Sequence, residues 1–353
     1  MRDRVAVVGA GSWGTALTGV LRRHGLEVSL WVRDPTRAEK IARTGQNHDY
    51  LPDIAIEPGV VVSSDLSNVC SGAGIVVLAV PTQSMRAVTE AARPCISTDA
   101  VVVSAAKGFE EKSLLTMTAL VRSVLEASAP AVVAMSGPNI AIEIARGLPA
   151  ATVVAGEGSA VQRVRDLCSG KQLRFYSSDD VIGVEFGGAL KNVVAIAAGM
   201  CDGIGIGDNG KAAIITRGLA ELARVGVAAG GRALTFSGLT GLGDCTVTCM
   251  SPHSRNRRLG EAIARGQGLA DALAASSMVV EGVHATRCAV ELSQRLQVEM
   301  PIAEELSDVL FGGKAIPDAF ADLMGRGPGD EMRGFDTSGA EQRRSTSRDR
   351  RRS

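Results

Sequence analysis

Apolar residues follow two rhythms along this chain. In the first half, short continuous apolar runs at 5–8, 28–31, 75–80, 101–104, 132–135 and 152–155 alternate with segments at 15–23, 84–93, 114–126 and 160–168, whose apolar positions recur at helical spacing. Runs without polar alternation suit strands buried on both faces. Their alternation with helices predicts a doubly wound parallel sheet covered on both sides. Beyond about residue 180 the strand-like runs stop. Long Ala-, Gly- and Leu-rich helical stretches take over, with the Gly-rich 238–244 segment as a break. The pattern predicts an α/β chain: a sheet domain over residues 1–180, an all-helical domain over 181–332, and a disordered Arg-rich tail over 333–353 where apolar residues run out. A length of 353 residues fits two domains of roughly 100–200 residues each.

The strongest chemical signal lies at the first strand. Gly9, Gly11 and Gly14 form G-x-G-x-x-G directly after the 5–8 run and directly before the 15–23 helix. In that context the motif reads as a dinucleotide loop, which makes the sheet domain Rossmann-type. Gly9 permits the tight turn, Gly11 lets the backbone approach a pyrophosphate, and Gly14 allows close helix–strand packing. The second strand ends in Arg33 and Asp34. An acidic side chain there suits the 2′-hydroxyl of NAD, and an arginine suits the 2′-phosphate of NADP. Arg33 at the strand tip favours NADP, with some use of NAD. Asp34 reads equally well as a cap for the helix that starts at Pro35.

Composition and charge exclude other classes. Lys plus Arg and Asp plus Glu balance at 38 each, so no global field suits nucleic acid or an anionic membrane. Locally, Arg343, Arg344, Arg348, Arg350, Arg351 and Arg352 crowd the end of the chain. Seven irregularly spaced cysteines argue against a disulfide framework. The N-terminus lacks the pattern of a signal peptide. No apolar stretch reads as long and clean enough to span a bilayer. The expectation is a cytoplasmic protein without stable membrane insertion.

Several polar residues stand in places that call for chemistry. In "FGGALKNVVAIAAGM", Lys191 is the sole ionisable group of an apolar helix, with Asn192 beside it. Such an ammonium either snorkels to the surface, pairs with a carboxylate such as Asp244, or polarises a substrate carbonyl beside a nicotinamide and donates a proton to its oxygen. The surrounding glycines and alanines then read as room for substrate and nicotinamide. Lys107 follows the 101–104 strand, at the carboxyl end where ligands of such sheets bind. Asn139 follows the 132–135 strand, as a helix N-cap or as an amide donor to substrate. Asp244 and the run Ser254, Arg255, Asn256, Arg257 and Arg258 before a helical segment form a polar cluster that suits a phosphate, while a solvated basic loop would account equally for Arg257 and Arg258. Cys245, Cys249 and His253 are spaced four apart on what reads as one helical face, but no fourth ligand is apparent and no metal is expected.

The segments "GAGSWGTAL", "AAKGFE", "SGPNIAIEIARG", "IGVEFGGALKNVVAIAAGMCDGIG", "ITRGLAEL", "GLTGLGDCTVTC", "SRNRRLG" and "VVEGVHAT" resemble, in order, those of the bacterial NAD(P)-dependent glycerol-3-phosphate dehydrogenases, over roughly residues 4–332. The resemblance implies reduction of dihydroxyacetone phosphate to sn-glycerol 3-phosphate with NADPH or NADH, supplying phospholipid synthesis, by a homodimer with a helical second domain. It implies that Lys191 is the general acid/base. It places Lys107, Gly137, Lys191, Asp244, Ser254, Arg255 and Asn256 around the substrate. Around the cofactor it places Ser12, Trp13, Arg33, Lys107, Ala141, Arg255, Val279 and Glu281. Asn139 stands where the family often has Ser or Thr and keeps the ability to bind substrate, while Ile142 stands where it often has Lys. Two other readings are a β-hydroxyacid dehydrogenase acting on a carboxylate, and an idle NADP-binding protein whose basic tail meets nucleic acid or membrane.

Overall fold

The computed structural model describes residues 4–126, 130–276 and 278–327. Eight strands form one sheet in the order β3-β2-β1-β4-β5-β6-β7-β8. They are β1 (Arg4–Val8), β2 (Glu27–Trp31), β3 (Val61–Ser63), β4 (Ile75–Leu78), β5 (Val101–Ser104), β6 (Ala131–Ser136), β7 (Ala150–Ala155) and β8 (Leu173–Ser178). Seven helices accompany them: α1 (Ser12–Arg23), α2 (Pro35–Thr44), α3 (Leu66–Cys70), α4 (Met85–Ala92), α5 (Met117–Leu125), α6 (Ala141–Ala145) and α7 (Gly158–Cys168). One apolar cluster lies on each face of the sheet, around Val7, Leu30 and Val133 on one side and Val8, Val76 and Val102 on the other.

The six expected strands are present, and two edge strands are added. β3 is only three residues long, with Val61 exposed. β8 alternates, with Leu173 and Phe175 buried and Arg174 and Tyr176 exposed. An edge strand covered on one face lacks the continuous apolar run of its central neighbours. The sheet is also not wholly parallel, because β6 and β7 pair antiparallel. Their connection holds just the five-residue α6, too little for the usual parallel crossover.

β8 ends at Ser178 and α8 begins at Val181, after which the described chain is helical. The helices are α8 (Val181–Ile204), α9 (Asp208–Ala228), α10 (Ala233–Phe236), α11 (Asp244–Met250), α12 (Arg255–Ala264), α13 (Leu269–Ala274), α14 (Glu281–Leu296), α15 (Pro301–Phe311) and α16 (Ile316–Gly325). Asp180 caps α8 by accepting from Gly183 N at 2.9 Å, and Gly205 ends it in the left-handed region. By length and composition this 24-residue helix could cross a membrane, contrary to the sequence expectation, yet it is the buried axis of the helical half. The Gly-rich 238–244 segment is not a break. It forms a π-helical turn, Leu239–Gly243, that runs straight into α11. The tail at 333–353 lies outside the described residues.

The glycines of α8 serve helix packing more than ligand access. A Cβ on Gly199 would lie 1.9 Å from Arg257 O of α12, and one on Gly260 of α12 would lie 2.0 Å from Ile196 O of α8. The two helices thus touch backbone to backbone. Gly188 instead faces Ser136 Oγ and the stem of Lys107. Two further contacts join the halves. Glu185 of α8 accepts from Thr118 N and Oγ1 at the start of α5, at 2.8 and 2.6 Å. The loop after β5 sends Phe109 and Leu114 into the helical core.

Candidate active site

The glycine loop is shaped for a ligand at its open side. Gly9 has φ +118°, and a Cβ there would lie 2.5 Å from Ala79 O. A Cβ on Gly14 would lie 1.9 Å from Gly9 O, whereas one on Gly11 meets nothing within 4 Å. Gly11 is also the N-cap of α1, which starts a turn earlier than expected and has neither a side-chain cap nor an acidic first turn. Its leading N–H groups therefore suit a pyrophosphate. Ser12 Oγ donates to Tyr50 O at 3.0 Å. Trp13 and Ala141 share a small cluster with Ile142, so the residue replacing a lysine is packed as an apolar side chain.

At the tip of β2, Asp34 is committed as the cap of α2, accepting from Arg37 N at 2.7 Å. Arg33 is exposed and has no hydrogen bond or ion pair among the described residues. The acidic group is therefore engaged locally, and the cation is available to a ligand.

Across the cleft, three chain segments meet at one carboxylate. Asp244, the first residue of α11, is 1 % exposed. Its Oδ1 accepts from Lys191 Nζ, and its Oδ2 accepts from Lys107 Nζ at 2.6 Å. Lys191 also donates to Thr248 Oγ1 at 2.7 Å, and Thr248 Oγ1 in turn donates to Asp244 O at 2.6 Å. Lys107 also donates to Gly137 O at 2.7 Å. The surface alternative for Lys191 fails, since its side chain is 8 % exposed. An ammonium has three protons. Each lysine here uses two among the described residues, leaving one for a ligand. Burial pushes the Lys107 ammonium down to about 8, against the pull of Asp244 and with the repulsion of Lys191. Thr248 gave no signal in the sequence, because a threonine inside an amphipathic helix reads as an ordinary helix residue.

Gly137 holds φ +152°, close against Ala151 O, a conformation that favours glycine. Asn139 is not a helix cap: Ile140 occupies that position, and Asn139 Nδ2 donates to Thr152 Oγ1 at 3.1 Å. Its Oδ1 is buried without a hydrogen-bond partner, as is the nearby Ser136 Oγ.

The remaining residues line up along the starts of α12 and α14. Ser254 caps α12. Asn256 Nδ2 donates to Asn192 Oδ1 at 2.8 Å, and Asn256 Oδ1 accepts from Gly282 N at 3.0 Å. Asn256 thus ties the starts of α12 and α14 to Asn192, the residue beside Lys191. Burial lowers Arg255, with the Glu281 carboxylate opposing that shift. Glu281 accepts from Thr82 N and Oγ1, at 3.1 and 2.6 Å. Val279 is exposed just before it. Arg257 and Arg258 do not act with this cluster as a unit: Arg257 pairs with Asp202 on α8, and Arg258 is exposed. Nor does His253 share a helical face with Cys245 and Cys249, since α11 ends at Met250.

Compared with known proteins, the chain matches the family model described as NAD-dependent glycerol-3-phosphate dehydrogenase N-terminus over residues 4–162, and its C-terminal counterpart over 180–321. It is 46% identical over 327 residues to the glycerol-3-phosphate dehydrogenase (NAD(P)+) of Moorella thermoacetica, covering 92% of this chain and 97% of that protein. The Bacillus subtilis enzyme of the same name is 45% identical over 332 residues, covering 93% and 96%. A crystal structure of glycerol-3-phosphate dehydrogenase from Coxiella burnetii is similar with a TM-score of 0.88 at 33% identity, covering 92% of this chain and 99% of that one.

Proposed function

The chain belongs to the NAD-dependent glycerol-3-phosphate dehydrogenase family, and from that membership we propose how its site works. The protein is an oxidoreductase that reduces dihydroxyacetone phosphate to sn-glycerol 3-phosphate with NADPH or NADH. Family membership over most of the chain decides against the hydroxyacid and idle-protein readings. The observation that carries the mechanism is the single Asp244 carboxylate shared by two ammonium groups, each with one proton to spare.

The glycine loop fits a dinucleotide, with Gly9, Gly11, Gly14, Ser12, Trp13 and Ala141 on the sheet side and Val279 and Glu281 on the helical side. When bound, the nicotinamide cofactor supplies hydride for reduction and takes it back in reverse. Lys191 aims its free N–H at the substrate carbonyl. As negative charge grows on that oxygen, Lys191 donates its proton, and in the reverse direction its neutral amine takes the proton from the hydroxyl. Asp244 and Thr248 fix the position of the amine. Lys107, Gly137, Asn139 and Asn256 hold the substrate, and Ser254 and Arg255 serve its phosphate at the start of α12. Arg255 also borders the cofactor through Glu281. The same reading has the enzyme act in the cytoplasm as a homodimer and supply glycerol 3-phosphate for phospholipid synthesis.

Paired assays of dihydroxyacetone phosphate with NADPH and with NADH test this reading. Turnover with both, and preference for NADPH, is the expected result. Arg33→Ala should raise the KM for NADPH about tenfold and leave that for NADH within about twofold, because just one of the two carries a 2′-phosphate. Equal effects on both cofactors would remove Arg33 from the 2′-phosphate site.

The lowered Lys107 sets a pH limit. Below about 8 its ammonium is charged and binds the anionic substrate; above that it becomes neutral. The KM for dihydroxyacetone phosphate should therefore climb by about tenfold per unit above that point. Lys107→Arg should abolish this limb at a lower overall rate, since a guanidinium stays charged. An unchanged limb in that variant would assign it to another group.

A further inference from the structure

Lys107 reaches Asp244 from a loop with little regular structure. The apolar side of that loop is fixed to the helical half, where Phe109 packs edge-to-face on Phe186 with ring centroids 5.0 Å apart. Its backbone is held from the sheet half by Gln83, in the turn after β4. Gln83 Nε2 donates to Phe109 O at 2.8 Å, and Gln83 Oε1 accepts from Glu111 N at 3.2 Å. A carbonyl only accepts and an N–H only donates, so the orientation of this amide is determined. The preceding residue, Thr82, presses on the same loop: a Cβ on Gly108 would lie 2.7 Å from Thr82 Cγ2. Thr82 is itself clasped by Glu281 through its N–H and hydroxyl. Both residues of the 82–83 turn therefore touch the substrate-side loop, and Thr82 also binds the cofactor-side carboxylate.

We propose that Gln83 is a positioning residue for the reduction: it holds the 109–111 backbone in the path that brings Lys107 onto Asp244, and through Thr82 it ties that path to Glu281. The proposal rests on the reading of Lys107 as a substrate-binding group. A glutamine at this place is not needed for burial, because Gln83 is exposed. Its two-ended bond to a carbonyl and an N–H two residues apart is a demand of geometry, which an apolar side chain of the same length does not meet.

Gln83→Met tests this. The variant keeps the length of the side chain and loses both bonds to the loop, together with the one that Gln83 Nε2 donates to Thr82 Oγ1 at 3.3 Å. Its KM for dihydroxyacetone phosphate should rise about tenfold, with kcat reduced by less than about threefold. Its Kd for NADPH, followed by fluorescence, and its melting temperature should match the wild type. The high-pH limb near 8 should move upward as the enclosure of Lys107 relaxes. An unchanged KM for dihydroxyacetone phosphate overturns the proposal, as does a matching rise in the Kd for NADPH. A lower melting temperature with an unmoved pH limb assigns Gln83 a purely structural role and also overturns it. Wild-type protein without turnover of dihydroxyacetone phosphate would overturn the underlying site reading, and the proposal with it. Wild-type turnover with Gln83→Met at the wild-type KM overturns the proposal alone.

Discussion

Lys191→Met should lower kcat by about 10³- to 10⁴-fold while the protein still folds and binds NADPH. Proton donation by a positioned group is worth roughly 10²–10⁴, and loss of a cation beside a developing oxyanion adds to that. Methionine preserves most of the side-chain volume within α8. The fold should tolerate the change because Asp244 keeps Lys107 as a partner. Two ammonium groups around one carboxylate leave a net positive charge in a buried place, and removing one of them leaves a neutral pair. Buried charge is costly unless paired, so the melting temperature should stay level or rise. Steady-state kinetics, cofactor titration and thermal melting measure the three quantities. A kcat within tenfold of wild type would show that another group protonates the substrate.

The second large effect is on stability. Gly199→Ala or Gly260→Ala should each destabilise the protein by about 2–3 kcal/mol, which lowers the melting temperature by several degrees. Alanine ordinarily favours a helix over glycine by about 1 kcal/mol. Here that gain is outweighed, because the new methyl would sit 1.9 Å from Arg257 O or 2.0 Å from Ile196 O. Those atoms are backbone and cannot swing aside as a flexible side chain does. α8 and α12 would have to separate, straining the Asn192–Asn256 bond and shifting Arg255 relative to Lys191. Gly158→Ala is the internal control: a Cβ there meets nothing within 4 Å, and the position opens α7. It should be neutral or slightly stabilising. Equal melting temperatures for all three variants would show that α8 and α12 separate at little cost.

Much of the site was legible wherever chemistry and local pattern coincide. The glycine motif between strand and helix named its own ligand, because each glycine answers a steric demand within a few residues of it. Lys191 was conspicuous because an ammonium in an apolar helix conflicts with its surroundings. Asp34 was ambiguous between ribose ligand and cap, and the structure commits it to the cap. Asn139 was also ambiguous, and the cap position of α6 falls instead to Ile140. Thr82, Gln83 and Thr248 were silent, since common polar residues at unremarkable spacing carry no local contradiction.

By itself, then, the sequence determined the strand–helix alternation, the position of the dinucleotide loop and the identity of the unusual lysine. Each of these is a short-range property: a period, a motif or a misplaced charge. Only the tertiary structure decided what completes them. Lys107 and Asp244 are 137 residues apart and Lys191 and Asp244 are 53 apart, yet they share one carboxylate. The edge strands, the antiparallel β6–β7 pair and the backbone contact of Gly199 with α12 belong to the same class. They depend on which surfaces are brought together when the chain packs, and that is a property of distant segments jointly rather than of any one of them.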